Sequence, residues 1–189
     1  MLSRVVRRQV HRPTKPTRVV RSYSVQAEPR KERILVTGAL GQIGSELIRE
    51  LKKRGHFVIA TDIRPPPRQV ADQWGADTPF RYLDVALEHD LRKLLVEYKA
   101  TMIVHLSAKL SAVAERDPAS SFSVNVRAVE NVLEAARHYG LRVFSPSSIA
   151  AFGPSTPNLG ELVGDFTVQR PVNVYGVSKV YLEVCFFCC

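Results

Sequence analysis

Short apolar runs alternate with longer amphipathic stretches along most of the chain. Five runs rich in β-branched residues predict strands at residues 34–37, 57–61, 80–83, 102–106 and 142–145. Apolar residues at helical spacing predict helices at 42–54, 87–98, 118–140 and 174–183. Because strands that alternate with helices are typical of βαβ units, the pattern predicts an α/β fold built on a parallel sheet.

Two of the predicted helices have a recognisable apolar face and a recognisable end. Ile43, Leu47 and Leu51 share one face of the first helix, and Gly55 follows it as a left-handed cap. The longest helix is capped by Asp117 and ends at Gly140, and its apolar positions are Phe122, Val126, Val129, Leu133 and Ala136. The stretch 145–171 is rich in Pro, Gly and Ser, which predicts a long functional loop.

Three glycines follow the first predicted strand in the pattern Gly-x-x-Gly-x-x-Gly. Gly38 permits a tight turn, Gly41 lets the backbone approach a pyrophosphate, and Gly44 lets the helix pack closely on the strand. The positive end of the helix dipole then faces the phosphates. Because the motif lies between a strand and a helix, it predicts a dinucleotide site in a Rossmann-like, doubly wound parallel sheet.

Acidic residues follow the second and third predicted strands. Asp62 can accept hydrogen bonds from both hydroxyls of an adenine ribose, and its charge repels a 2′-phosphate, so NAD is favoured over NADP. Arg64 is expected to cover the adenine or the ribose. Asp84 and Val85 are placed to meet the adenine, and the alternative for Asp84 is a helix cap for the segment near Leu87.

Tyr175 and Lys179 are four residues apart and share one face of the last predicted helix. An ordinary tyrosine has a pKa of about 10, so it needs a neighbouring positive charge to act as a base near pH 7. Lys179 and a nicotinamide ring can supply that charge while Tyr175 takes the proton of an alcohol. Ser148 can hydrogen-bond the reacting oxygen. Because this spacing is common, the alternative is that Tyr175 and Lys179 are an ordinary pair of side chains on the helix surface.

The positive charge of the chain is concentrated at its N-terminus. Of the formal net charge of +9, residues 1–27 carry +7, with six Arg, one Lys and no acidic residue. This composition, together with the segment from Arg21 to Ser24, predicts a mitochondrial transit peptide at 1–27 and a location in the matrix. A basic arm that binds RNA or anionic lipid is the alternative. Since residues 28–189 are nearly neutral, we expect no nucleic-acid binding from them.

The motifs stand in the order found in the extended short-chain dehydrogenase/reductase family, which the chain resembles from about Arg33 to Glu183. The resemblance rests on segments that begin at Thr37, Asp62, Asp84, His105, Asn125, Ser147 and Tyr175. It implies an NAD-dependent oxidoreductase with a small-molecule substrate. Within the family, the segments 36–45, 110–113, 149–154 and 175–179 are most similar to the matching segments of members that oxidise L-threonine to 2-amino-3-oxobutyrate.

The resemblance also implies a role for each site residue. The resemblance implies that Tyr175, Lys179 and Ser148 are the catalytic residues. It also implies that the substrate contacts Ser111, Ser148 and Tyr175. Asn125 would link to Lys179 through a water or a carbonyl, with an exposed polar residue as the alternative. The cofactor is held by Tyr175, Lys179 and a larger group that comprises Gly38, Ala39, Leu40, Gly41, Gln42, Ile43, Gly44, Asp62, Ile63, Arg64, Asp84, Val85, Leu106, Ser107 and Ala108.

Two features depart from the family pattern. Lys109 places a charge where a small or apolar residue is expected beside the cofactor. After Val184 the family continues into a further strand and a substrate lobe, so we expect residues 28–189 to form a C-terminally truncated NAD-binding domain with its fifth strand at an open edge. A homodimer is expected if the chain folds. The alternative function is a catalytically inactive product that at most binds NAD.

The sequence offers little support for a metal site or a membrane span. Cys185, Cys188 and Cys189 include a Cys-x-x-Cys spacing, but zinc needs about four ligands and the sequence has no second Cys/His cluster. No apolar run approaches the roughly 18 residues that cross a bilayer. We therefore expect neither a metal nor a membrane partner.

Overall fold

Five parallel strands form one sheet in the order β3-β2-β1-β4-β5. The computed structural model describes residues 30–157, 164 and 167–188, which belong to the unit Lys31–Cys189 apart from Arg30. The predicted leader at 1–27 lies outside the described residues. The strands are β1 (Arg33–Thr37), β2 (Phe57–Asp62), β3 (Phe80–Tyr82), β4 (Met102–His105) and β5 (Arg142–Phe144).

Helices connect the strands and follow the last of them. They are α1 (Gln42–Lys53), α2 (Arg68–Trp74), α3 (Glu88–Glu97), α4 (Ser111–Arg116), α5 (Pro118–Phe122), α6 (Ala128–Tyr139) and α7 (Val174–Cys188). A π-helical turn at Ser123–Arg127 joins α5 to α6, and a short 3-10 helix covers Ile149–Ala151.

Helices cover both faces of the sheet. Alternate strand residues point to opposite sides, so each strand contributes side chains to both faces. Leu35, Ile59 and Ile103 are fully buried in one cluster with apolar residues of α3 and α6. Val36 and its neighbours on the other face pack in a second cluster with residues of α1 and α2, including Trp74. Helices on both faces of a parallel sheet confirm the predicted doubly wound, Rossmann-like fold.

The structure differs from the predicted elements in several places. Helices α2 and α4 were not predicted, because seven and six residues are too few to show a helical period. The predicted helix 118–140 is α5, the π turn and α6 in succession, and the extra residue of a π turn shifts the buried face. Phe122 is accordingly 42% exposed. Helix α7 also continues past residue 183 to Cys188.

Ile43 was also wrongly placed on the buried face of α1. Its side chain is 64% exposed, whereas Leu47 and Leu51 are partly buried against the cluster on that face of the sheet. The helix begins beside the glycine turn, and its apolar contacts with the sheet come from later turns. Strand β5 lies at an edge of the sheet, as predicted, with Phe144 half exposed.

Candidate dinucleotide and catalytic site

The glycine turn is packed against the end of β4. Gly38 has a φ of +69°, and a Cβ atom added to it would lie 2.9 Å from the backbone of Leu106 and Ser107. A Cβ atom on Gly44 would lie 2.4 Å from the carbonyl oxygen of Gly38. Both positions therefore need glycine for close backbone approach, whereas the predicted contact of Gly41 with a pyrophosphate stays a prediction.

Asp62 joins the end of β2 to the glycine turn. Its side chain is 8% exposed, and one carboxylate oxygen accepts a hydrogen bond from the backbone N–H of Leu40 at 3.0 Å. The other oxygen accepts from the N–H of Arg64 at 3.3 Å and lies 3.9 Å from its guanidinium group. The carboxylate is thus held at the edge where the predicted ribose contact falls.

A cleft of about 440 Å³ runs along the carboxyl ends of the strands. Ten predicted cofactor residues line it, namely Gly38, Gly41, Asp62, Ile63, Arg64, Asp84, Val85, Leu106, Ser107 and Ala108. Sequence reasoning missed four other lining residues, Leu83, Ala86, Val124 and Ala128, whereas Lys109, which also lines the cleft, was expected beside the cofactor. The spacing of Val124 and Ala128 by one helical turn was the available signal for two of them.

The remaining predicted cofactor residues do not line this cleft. These are Ala39, Leu40, Gln42, Ile43, Gly44, Tyr175 and Lys179. The alternative for Asp84 as a helix cap is wrong: its carboxylate accepts from the N–H of Ala86 at 3.0 Å, and Leu87 is the residue that precedes α3. Asp84 instead shapes the turn that borders the cleft.

Lys179 ties α7 to the segment that follows β5. Its ammonium group donates to the carbonyl oxygen of Pro146 at 2.8 Å and lies 5.6 Å from the ring centre of Tyr175. The side chain is buried, and burial lowers the pKa of Lys179. The structure therefore brings the two members of the Tyr-x-x-x-Lys pair together beside the start of the Ser147–Ser148 segment.

Ser148 is held at the start of the 3-10 helix that contacts α7. Its hydroxyl oxygen accepts from the N–H of Ala150 at 3.2 Å. This bond uses a lone pair, so the hydroxyl hydrogen stays available for an oxygen of a bound molecule. Ser147 instead donates to the carboxylate of Glu183 on α7.

Asn125 lies in the π turn and fixes the backbone at Lys109. It is 5% exposed, so the alternative of an exposed polar residue is wrong. Its amide oxygen accepts from the N–H of Lys109 at 2.8 Å, and its amide nitrogen donates to the carbonyl of Lys109 at 2.9 Å and to Ser178 at 3.3 Å. The ammonium group of Lys109 contacts the hydroxyl of Ser120 and lies 3.9 Å from Asp117.

Ser111, the predicted substrate residue, is exposed at the start of α4 and does not line the cleft. Its helix is nevertheless joined to α7, because Glu115 of α4 accepts from the N–H of Val174 at 2.7 Å. The role of Ser111 in substrate binding stays a prediction.

His105, the last residue of β4, is a buried titratable group that lines a small cavity together with Asn125 and Lys179. It is 3% exposed, and its Nδ1 atom lies 2.9 Å from the hydroxyl of Thr37. Burial, reinforced by the positive charge of Lys179, lowers the pKa of His105 to about 4. The imidazole is therefore neutral in the folded protein at pH 7.

This lowered pKa predicts a loss of stability on mild acidification. Between pH 6.5 and about 4 the unfolded chain binds a proton at His105 that the folded chain does not bind. The free energy of unfolding should fall through this window by about 3 kcal/mol from this residue alone. Urea unfolding of the natural chain and His105→Gln at several pH values measures it. Equal pH dependence in both proteins would contradict the prediction.

Two further observations concern the described ranges 30–157, 164 and 167–188. No group of three or more His, Cys, Asp or Glu side chains within them could hold a metal ion. None of their helices is both long and apolar enough to cross a bilayer. Cys185 is a free cysteine. The second cysteine of the Cys-x-x-Cys spacing, Cys188, has a side chain that lies outside the described part of the structure.

The chain belongs to the NAD dependent epimerase/dehydratase family, whose sequence profile matches residues 34–186. It is 41% identical over 160 residues to mitochondrial L-threonine 3-dehydrogenase of Bos taurus, an alignment that covers 84% of this chain and 41% of that protein. It is also 43% identical to an uncharacterized epimerase/dehydratase of Staphylococcus saprophyticus, over 81% of this chain and 47% of the relative. The chain thus spans less than half the length of these curated relatives.

Solved structures give the same picture of the fold. L-threonine dehydrogenase of Phytophthora infestans superposes with a TM-score of 0.72 at 41% identity, over 81% of this chain and 47% of that one. UDP-glucose 4-epimerase of Thermus thermophilus in complex with NAD superposes with a TM-score of 0.69 at 30% identity, over 82% and 50%. The predicted resemblance to the extended short-chain dehydrogenase/reductase family is confirmed.

Proposed function

We propose that the chain oxidises L-threonine to 2-amino-3-oxobutyrate with NAD as the hydride acceptor. The observation that carries the proposal is the bond from Lys179 to Pro146, which places the Tyr175 and Lys179 pair against the Ser147–Ser148 segment. Similarity to two threonine dehydrogenases supports the choice of substrate. The sequence segments 36–45, 110–113, 149–154 and 175–179 also support this choice of substrate, because they resemble those of threonine-oxidising family members.

The cleft suits a dinucleotide. Its volume of about 440 Å³ is within the usual range for small-molecule sites, and backbone at Gly38 and Gly41 borders it without side chains in the way. The glycine turn at the start of α1 would bind the pyrophosphate, and Asp62 would bind the adenine ribose. Leu106, Ser107 and Ala108 would form the floor. NAD supplies the ring that accepts a hydride from the carbon that bears the hydroxyl group.

Residues of this chain would accept the proton of the substrate hydroxyl and stabilise the negative charge that develops on its oxygen. Tyr175 would take the proton from the substrate hydroxyl as the carbon–hydrogen bond breaks. Ser148 would donate a hydrogen bond to the same oxygen, and the Lys179 ammonium group would stabilise the tyrosinate by its charge. Two electrons and one proton leave as hydride and one proton stays on Tyr175, so the step balances.

The direct test is to mix the full chain with L-threonine and NAD and to follow NADH by its absorbance. We expect NADH with L-threonine and none with UDP-glucose, which is the substrate named for some structural relatives. NADH formation with neither compound would reject the activity. Epimerisation leaves no net NADH, so the UDP-glucose sample is also analysed by chromatography, and formation of its 4-epimer without NADH from L-threonine would assign the chain to the epimerase side of the family.

NAD binding without turnover is the second candidate function. The observation that favours it is that the cleft is lined by predicted cofactor residues but not by Ser111, Ser148, Tyr175 or Lys179. A raised melting temperature with NAD, combined with no NADH from L-threonine, would support this candidate. The chain would then retain the nucleotide site of its relatives without their reaction.

Asp62 provides a test of the cofactor preference. We expect Asp62→Asn to weaken NAD binding by roughly tenfold or more, because a charge-assisted hydrogen bond is lost, and to narrow the preference over NADP. Asn can still accept from the N–H of Leu40, which keeps that contact with the glycine turn, and only the bond from the N–H of Arg64 loses its acceptor. Asp72→Asn, at an exposed carboxylate on α2, is the matched control. Calorimetric titration that gives unchanged NAD and NADP affinities would refute the role of Asp62.

The proposed location is the mitochondrial matrix, with residues 1–27 as the targeting segment. A fluorescent protein fused after residue 27 should enter mitochondria in cells. Replacement of the six Arg residues and Lys15 of this segment by Gln should leave the fusion outside them, because import depends on the positive charge. Mitochondrial entry of the charge-free fusion would contradict this prediction. We further propose a homodimer, which analytical ultracentrifugation would detect.

A further inference from the structure

The hydrogen-bond pattern around Thr37 determines which nitrogen of His105 carries the proton. The Thr37 hydroxyl oxygen is aligned to accept from the backbone N–H of Leu106 at 3.2 Å and of Ser107 at 3.4 Å. A hydroxyl group has two lone pairs and one hydrogen, so two accepted bonds leave its hydrogen to donate. His105 Nδ1, at 2.9 Å, is the atom that receives it. The Leu106 N–H is shared with the carbonyl oxygen of Thr37 at 3.2 Å, and the pattern as a whole favours the neutral tautomer that carries its proton on Nε2.

That Nε2–H group is buried and has no hydrogen-bond partner among the residues that the structure describes. A buried donor without a partner costs about 1–3 kcal/mol. The ring borders a cavity of about 10 Å³, which is close to the volume that one water molecule requires. Asn125, Ser178 and Lys179 line the same cavity.

Ser178 has the acceptor that a water molecule needs at this place. Its hydroxyl donates to the carbonyl of Tyr175 at 2.6 Å and accepts from the Asn125 amide at 3.3 Å. One lone pair of the hydroxyl is left. Lys179 uses one of its three ammonium hydrogens for Pro146 and has two more to give. The cavity therefore offers two donors and one acceptor.

We propose that this cavity is a binding site for one buried water molecule, which accepts from His105 Nε2–H and from Lys179 and donates to Ser178. The water molecule connects the end of β4 to α7 and fixes the ammonium group of Lys179 next to Tyr175. His105 is then a positioning residue: it contacts no substrate and acts through the water on Lys179. The part of this inference that concerns catalysis rests on the proposed function, whereas the water site itself does not.

The water site can be tested on the natural chain by NMR. In the ¹⁵N-labelled full chain, His105 is assigned by comparison with His105→Gln among the five histidines. We expect Nε2 to be protonated and Nδ1 unprotonated at pH 7, with slow solvent exchange of the Nε2 proton and a cross-relaxation peak to a long-lived water. A proton on Nδ1, or a protonated Nε2 without any water contact, would overturn the proposal.

Catalytic positioning needs a second pair of variants. His105→Leu removes the donor, and His105→Gln keeps an N–H group at a similar reach. With L-threonine and NAD, we expect His105→Leu to lower kcat by about tenfold to a hundredfold and to move the acidic limb of its pH profile upward. His105→Gln should restore both. Equal loss in two folded variants would overturn the positioning role. If the natural chain itself does not turn over, the proposed function fails, and the NMR result alone decides the water site.

Discussion

Tyr175→Phe is expected to lower the rate of NADH formation from L-threonine by at least about a hundredfold. The change removes only the hydroxyl oxygen, which is the proposed proton acceptor, and general-base catalysis contributes about 10²–10⁴-fold in rate. The ring, with Lys179 5.6 Å from its centre, and the backbone carbonyl that accepts from Ser178 are both kept. The melting temperature and the NAD affinity should change little. Absorbance of NADH and a thermal melt measure the two effects.

Tyr181→Phe is the matched control, since it removes a hydroxyl from another tyrosine on the same helix. The Tyr181 hydroxyl donates to the Glu130 carboxylate at 2.6 Å, and this bond raises the pKa of Tyr181 above its ordinary value. Such a tyrosine stays neutral and is a poor base. We expect its loss to leave turnover unchanged and to cost about 1 kcal/mol of stability. If Tyr175→Phe retained activity, the proposed base would be wrong.

The fold could be predicted from the sequence because its parallel strands are short apolar runs. The three central strands are buried on both faces, as Leu35 and Val36 of β1 show, so hydrophobicity alone marked them, whereas the edge strands β3 and β5 are partly exposed. No comparable apolar pattern in the sequence indicates the register of the sheet or the short helix α4. The π turn also escaped notice, because its extra residue appears in the backbone hydrogen bonds and not in the apolar spacing.

The residues that line the cleft were easier to predict than the residues that support them. Gly38 and Asp62 are recognisable because a fixed chemical role limits the residue type at a fixed distance along the chain. Asn125, Ser178 and His105 line one small cavity from distant parts of the sequence, so only the tertiary structure brings them together. Lys109 stood out from the sequence as an unexpected charge. In the structure its ammonium group is occupied by Ser120, which no sequence pattern indicates.

Gly176→Ala is expected to damage both stability and activity. A Cβ atom at this position would lie 2.1 Å from the carbonyl oxygen of Ala150 and 2.8 Å from the Cβ atom of Pro171. The first contact is with backbone, so no side-chain rotation can relieve it. Overpacking of this kind costs about 1–3 kcal/mol, occasionally more, and we expect the upper end. Urea unfolding measures the loss.

The direction of the forced movement links this steric effect to function. The first turn of α7 is held by Asn173, which accepts from the N–H of Gly176 at 2.7 Å, so the turn has to move away from Ala150 as a unit. Tyr175 moves with it and Ser148 does not, which separates the proposed base from the proposed hydrogen-bond donor. A displacement of about 1 Å can cost roughly a hundredfold in rate. NADH formation from L-threonine, measured below the melting temperature of the variant, reports this second loss.

Gly164→Ala provides the control, because it changes the unfolded chain in the same way, and among the described residues nothing lies within 4 Å of the added Cβ atom. That variant should be neutral or more stable by up to about 1 kcal/mol, since Ala lowers the entropy of the unfolded chain. A folded Gly176→Ala protein that matched it in urea unfolding and in turnover would show that α7 does not need this contact with Ala150. The proposed catalytic pair would then be positioned by other contacts of α7, such as the bond from Lys179 to Pro146.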